Sequence, residues 1–210
     1  MSTEGLRYWR SQQPLTLDSG ATLDGFELCF RSWGQLNAQA DNAVVVCHAL
    51  TGDPHADRWW AALFGPGKAL DPERDFIVCA NALGSCYGSS GPASHDANGR
   101  RLATRFPRVS IRDQVRSQMR LLDALGVRQI AWVVGGSMGG LQAIEWALLD
   151  PARVRSVSSI AASAKHSAWC IGWSEAQRIA LRADARFANG DYTDAEPPLA
   201  GLAAARAIAM

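Results

Sequence analysis

The chain has 210 residues, 48% of them hydrophobic and 20% charged, with 21 basic against 20 acidic side chains. That length suits one domain, or one domain plus the start of another, and the apolar share is enough for a packed core, which excludes a disordered chain. The net charge of +1 gives no global field for nucleic acid or an acidic membrane.

Residues 1–13 are polar and lack the apolar segment of a secretory signal, and no apolar run nears the roughly 18 residues that span a bilayer. Pro14-Leu15-Thr16-Leu17 predicts a short strand, with a turn at Asp18-Ser19-Gly20. Residues 26–33 alternate apolar and polar, as a half-buried strand does, and Gly34 closes them. Residues 43–47 are apolar throughout, which fits a strand buried on both faces of a mainly parallel sheet. Residues 75–80 and 130–134 repeat that pattern, and 154–160 form a more polar fourth strand.

Helices lie between these strands. Ser110-Ile111-Arg112-Asp113 reads as an N-cap with a reciprocal acid three residues on. Ile111, Val115, Met119, Leu122 and Leu125 then follow at helical spacing, with Gly126 past the end. Residues 138–149 form a second helix stopped by Asp150-Pro151. Alternating strands and helices predict an α/β fold with a mainly parallel central sheet. Beyond the fourth strand, 169–186 and 202–210 read as helical, separated by Asn189-Gly190-Asp191 and Pro197-Pro198. The expected division is a core over 1–165 and the start of a helical lid over 166–210. Cys29, Cys47, Cys79, Cys86 and Cys170 are odd in number and form no CxxC pair, which predicts neither a disulfide framework nor a zinc site and points to a reducing cytosol.

Three segments point to chemistry. Gly135, Ser137 and Gly139 make a G-x-S-x-G between an apolar strand and an amphipathic helix, the context of a nucleophile elbow. Glycines flanking the serine relieve a tight strand-to-helix turn, and the helix N-terminus offers free N–H groups to a developing oxyanion. His48-Ala49-Leu50-Thr51-Gly52 follows a buried strand, where α/β-hydrolases carry the second oxyanion donor. The expected donors are the backbone N–H groups of Leu50 and Met138. His48 precedes the serine, against the Ser–acid–His chain order of that fold, so it is read as ordering the loop. Residues 81–92, with three glycines and a proline, form a loop at the same sheet edge, either a plain surface loop or a wall of the site. His55, His95 and His166 lack metal-ligand spacing, so no metal is expected. Trp59-Trp60 and Trp169/Trp173 read as packing, or as the lining of an entry channel.

Taken together these segments resemble the homoserine O-acetyltransferases of the α/β-hydrolase superfamily. The match is carried by residues 48–53, Gly65-Pro66-Gly67-Lys68, 81–92, Phe106-Pro107, Ile111-Arg112-Asp113, 135–140, Gln177-Arg178 and 201–206, and runs from about residue 25 to the last residue. The resemblance implies a ping-pong transfer in which Ser137 takes the acetyl group from acetyl-CoA, a substrate and not a bound cofactor, and passes it to the hydroxyl of L-homoserine. It places the family's carboxylate-binding arginine on Arg206, whose planar fork suits a carboxylate. It also implies a soluble cytoplasmic enzyme of methionine biosynthesis, a homodimer when full length, with small-molecule substrates and neither nucleic acid nor membrane as partner.

Members of that family continue through a lid and back into the sheet, where the acid and histidine of the triad lie. The α/β-hydrolase fold is therefore expected to be C-terminally incomplete here, and the fragment to be inactive alone. Ser89-Ser90 stand where acetyltransferases often carry threonine, which leaves open a succinyl-CoA donor, or serine as acceptor. An esterase or thioesterase, with water as acceptor, and a non-enzymatic interaction fragment are the other classes left open.

Overall fold

The computed structural model describes residues 5–210. By compactness the described chain divides into two units, one holding residues up to 93 together with 107–162, the other 94–106 together with 163–210.

The first unit is built on a six-stranded sheet. Its strands are β1 (Arg7–Ser11), β4 (Phe26–Trp33), β5 (Ala43–Cys47), β6 (Phe76–Ala80), β7 (Ile130–Gly136) and β8 (Val157–Ile160), in the spatial order β1-β4-β6-β5-β7-β8. From β6 to β8 the pairings are parallel, and β1 and β4 add an antiparallel edge. The continuously apolar β5 and β6 are buried at every residue, because both lie inside the sheet with both faces covered. Val44, Val46, Ile77, Cys79 and Val134 form one core cluster, against which Trp33, Trp60 and Phe64 pack.

Strand β1 has no apolar period to announce it. Only Ser11 of its five residues is buried, and pairing with β4 (Tyr8 opposite Cys29) makes it a strand. The predicted strand near Leu15 is one arm of a two-residue hairpin, β2 (Leu15–Thr16) with β3 (Thr22–Leu23), turned at Gly20.

Helix α1 (Ala56–Trp59) is a single turn after β5. Helix α2 (Ile111–Ala124) starts as its sequence predicts. The Ser110 hydroxyl accepts from Asp113 N–H at 3.1 Å, and the Asp113 carboxylate accepts from Ser110 N–H at 3.0 Å. Such a cap contributes about 1 kcal/mol. Asp113 is fully buried and also accepts from Asp18 N–H at 3.0 Å, which fastens the β2–β3 hairpin to the helix start.

Helix α3 (Met138–Leu149) is held against α2 by a buried row of amides. Trp146 Nε1 donates to Gln118 Oε1 at 3.2 Å, Gln118 Nε2 to Gln142 Oε1 at 3.2 Å, and Gln142 Nε2 to Gln114 Oε1 at 2.8 Å. Gln114 Nε2 completes the row on the carbonyl of Leu83 at 3.3 Å. Every amide both accepts and donates, so a polar seam runs between two helices with each amide nitrogen and oxygen partnered.

The second unit holds α4 (Ala168–Ala183) and α5 (Leu199–Ile208). Asp184 ties them, accepting from Gly201 N–H at 2.9 Å and Arg186 N–H at 3.0 Å, and these bonds hold its carboxyl below the usual range. A Cβ on Gly201 would lie 2.9 Å from that of Asp184, so the helices meet at close range. Trp169 and Trp173 stack edge to face at 5.6 Å and stay exposed.

Candidate active site

Two parallel neighbours, β5 and β7, bring the site together. Cys47 lies opposite Gly135 in the register, so β5 and β7 end at the same edge of the sheet, β5 at Cys47 and β7 one residue further on at Gly136. The two expected oxyanion donors, Leu50 N–H and Met138 N–H, each lie three residues past that paired position, one in the turn after β5 and the other at the start of α3.

Ser137 is the junction between β7 and α3. Its backbone sits at φ 56° and ψ −119°, a region that costs a non-glycine residue on the order of 1–3 kcal/mol. Ser137 N–H donates to the carbonyl of Ile160 at 2.9 Å, which anchors the turn to the end of β8. Its hydroxyl caps nothing, is exposed, and makes no hydrogen bond among the described residues. A serine at a helix start usually spends its oxygen on the N-cap; here the backbone turns the oxygen outward.

The flanking glycines have a steric cause. A Cβ on Gly135 would lie 2.2 Å from the Gly139 carbonyl oxygen, and one on Gly139 would lie 2.0 Å from that of Cys47. The first turn of α3 thus presses directly on the end of β5. Gly136 is different, since a Cβ there would meet nothing within 4 Å.

His48 is buried and both ring nitrogens are engaged. Ala82 N–H donates to Nε2 at 3.0 Å, so the proton is on Nδ1, which donates to the carbonyl of Ala49 at 2.7 Å. Burial is the largest influence on its pKa and lowers it, opposed by the bond to Ala49, so the ring is neutral near pH 7. It has no lone pair to offer Ser137 and orders the loop, as its place in the chain implies. The 81–92 loop is the partner that orders it.

Cys47 ends β5 beneath this loop, and burial pushes its thiol up to about 12, which removes it as a rival nucleophile. A cavity of about 340 Å³ adjoins the elbow, lined by Ala49, Thr51, Gly52, Trp59, Trp60 and Gly136. Asp53 also lines it and is held by His55, whose N–H donates to Asp53 Oδ1 at 2.8 Å. Trp59 and Trp60 thus line a pocket beside the serine. Among the described residues no group of three or more His, Cys, Asp or Glu side chains could hold a metal ion, and no helix is long and apolar enough to cross a membrane.

Arg206 belongs to the second unit, exposed in the last turn of α5. Ser89 was legible only as a departure from a family pattern; its buried hydroxyl bonds the loop to β4, a role no sequence spacing announces.

The family model of the alpha/beta hydrolase fold matches residues 42–209. The chain belongs to the α/β-hydrolase family. This α/β-hydrolase is 53% identical over 205 residues to the homoserine O-acetyltransferase of Nostoc punctiforme, covering 97% of this chain and 58% of that protein. The chain thus spans a little over half the length of the curated relatives it matches. Among solved structures, the homoserine O-acetyltransferase from Bacillus anthracis superposes with a TM-score of 0.90 at 25% identity, over 97% of this chain and 59% of that one. Esterase E22 superposes with a TM-score of 0.88 at 28% identity, over 97% and 60%.

Proposed function

We propose that this α/β-hydrolase chain carries the acylating half of a homoserine O-acetyltransferase. Ser137 Oγ attacks the thioester carbonyl of acetyl-CoA, its proton passing to a base as the C–O bond forms. Leu50 N–H and Met138 N–H hold the tetrahedral oxyanion, and the C–S bond breaks to release CoA as its thiol. The side-chain hydroxyl of L-homoserine then attacks the acyl-serine, returning Ser137 and releasing O-acetylhomoserine, the ping-pong sequence. Arg206 receives the homoserine carboxylate in a bidentate fork. The base and its orienting acid are assigned to the part of the relatives' length that this chain does not span, and residues 166–210 to the start of a lid. The setting is methionine biosynthesis in the cytoplasm, with the full-length protein a homodimer.

The observation that carries the reading is the 53% identity to a homoserine O-acetyltransferase across a chain whose elbow serine is exposed, with a hydroxyl that makes no hydrogen bond among the described residues. The test is mass spectrometry of the full-length protein after exposure to acetyl-CoA or succinyl-CoA, followed by homoserine. One acetyl group on Ser137, discharged by homoserine and faster than by water, is expected. Preferential labelling by succinyl-CoA would assign the other donor. The likeness to esterase E22 supports a second reading, hydrolysis. Discharge at the same rate with and without homoserine would establish it.

A further inference from the structure

A single row of hydrogen bonds runs through the first unit and ends on the peptide that carries Leu50 N–H. Cys29 N–H, on β4, donates to Ser89 Oγ at 3.0 Å. Ser89 Oγ–H donates to the carbonyl of Asn81 at 2.7 Å. The same peptide unit presents Ala82 N–H, which donates to His48 Nε2 at 3.0 Å. The other ring nitrogen, Nδ1–H, donates to the carbonyl of Ala49 at 2.7 Å. That carbonyl shares a planar trans peptide with Leu50 N–H, which points the opposite way and makes no hydrogen bond among the described residues.

Two properties make this more than loop packing. Every donor faces the same way, toward Leu50, so each bond polarises the next, an effect of about 10–30% per bond. The sense cannot reverse: Cys29 N–H and Ala82 N–H can only donate, which fixes the serine rotor and the histidine tautomer. Cys29, Asn81, Ala82, His48 and Ser89 are all buried, so water does not short-circuit the row. The two oxyanion donors also differ in what stands behind them. Met138 N–H opens a 12-residue helix and has its dipole. Leu50 N–H lies in a turn with no helix behind it, and the row from Cys29 occupies that place. Gly52 N–H, donating to the same Ala49 carbonyl at 2.8 Å, fixes the tilt of the peptide.

We propose that Ser89 and His48 are positioning residues that set the direction and strength of Leu50 N–H as an oxyanion donor, acting through this one-way row. The proposal rests on the reading of Leu50 as a donor, and the experiment separates the two. In the full-length protein, Leu50 is replaced by its α-hydroxy acid, which turns the N–H into an ester oxygen. Loss of a true oxyanion donor lowers kcat by about 10²–10³. Ser89→Ala interrupts the row while leaving Leu50 N–H in place, so a smaller loss in the acylation rate is expected, about tenfold, with KM for acetyl-CoA unchanged. Ser89→Thr, which keeps the hydroxyl, regains most of that rate. Combining Ser89→Ala with the Leu50 ester adds no further loss, because both act on one donor.

Where Ser89→Ala does not fold, Ser89→Cys carries the same measurement with a weak donor and acceptor of similar size. A Leu50 ester with the normal rate would overturn the donor reading and this proposal with it. A damaging ester whose loss adds in full to that of Ser89→Ala would overturn the row alone. A rise in KM matching the fall in rate, or failure of threonine to restore it, would do the same.

Discussion

Gly139→Ala puts the elbow's geometry to the test. The added Cβ would lie 2.0 Å from the carbonyl oxygen of Cys47, 2.6 Å from its carbon and 2.9 Å from the carbonyl oxygen of His48. Ordinary contact begins at 3.4 Å, so α3 and β5 must part by about 1.4 Å, the difference between 3.4 and 2.0 Å. All three obstructing atoms are backbone, and one strand of the pair is buried at every residue, so no side chain can swing away. Overpacking in a core costs about 1–3 kcal/mol, and a backbone clash on a buried strand belongs at the upper end, about 3 kcal/mol. The same displacement moves Met138 N–H relative to Leu50 N–H, and a shift of about 1 Å at a reacting centre can lower the rate about 10²-fold. Gly136→Ala is the internal control. It lies three residues away on the same turn, meets nothing within 4 Å, and is expected to change stability by less than about 1 kcal/mol. Urea unfolding of both variants of the full-length protein, with the rate of acetyl loading on Ser137, provides the comparison. Equal stability and equal loading in the two variants would refute the steric account of the elbow.

Four further outcomes are expected. Ser137→Ala abolishes acetyl loading with unchanged secondary structure, and any labelled acetyl on that variant removes Ser137 as the nucleophile. Ser137→Gly is more stable than Ser137→Ala by about 1–3 kcal/mol in urea unfolding, because glycine tolerates φ 56° without strain. Equal midpoints would show that the elbow stores no strain. Trp146→Ala, which empties a fully buried site and orphans Gln118 Oε1, costs about 3–5 kcal/mol, readable as a lowered melting temperature. His48 has a pKa lowered in the folded state, so the unfolded chain binds its proton first. Its contribution is complete above the ordinary value of about 6.5 and is lost as pH falls from there through the folded pKa. Unfolding free energies between pH 7.5 and 5, set against those of His48→Asn, read that slope as at most about one proton; a steeper slope in the variant would contradict it.

Much of the fold was legible because it rests on local rules. The runs at 26–33, 43–47 and 138–149 were read to the residue, the first closed by Gly34, the second marked by continuous apolarity and the third stopped by Asp150-Pro151. Burial along the first does not alternate, however, and the helix is apolar nearly all round rather than amphipathic. The Ser110–Asp113 cap was readable because both partners lie within one helical turn. The candidate nucleophile, Ser137, was locatable because the strand, the turn glycines and the helix are consecutive in the chain.

What only the tertiary structure decided involves partners far apart in the chain. Strand β1 exists because β4 offers it an edge, and its own residues carry no period. The role of His48 depends on Ala82, 34 residues on, whose N–H takes one ring nitrogen and so assigns the proton to the other. Ser89 became significant through Cys29, 60 residues earlier. Gly139 and Gly136 look alike in the sequence, yet one abuts the Cys47 backbone and the other faces open space. Periodicity and capping are properties of neighbouring residues, whereas hydrogen-bond direction and steric contact arise only when separate segments are brought within a few ångströms by the sheet.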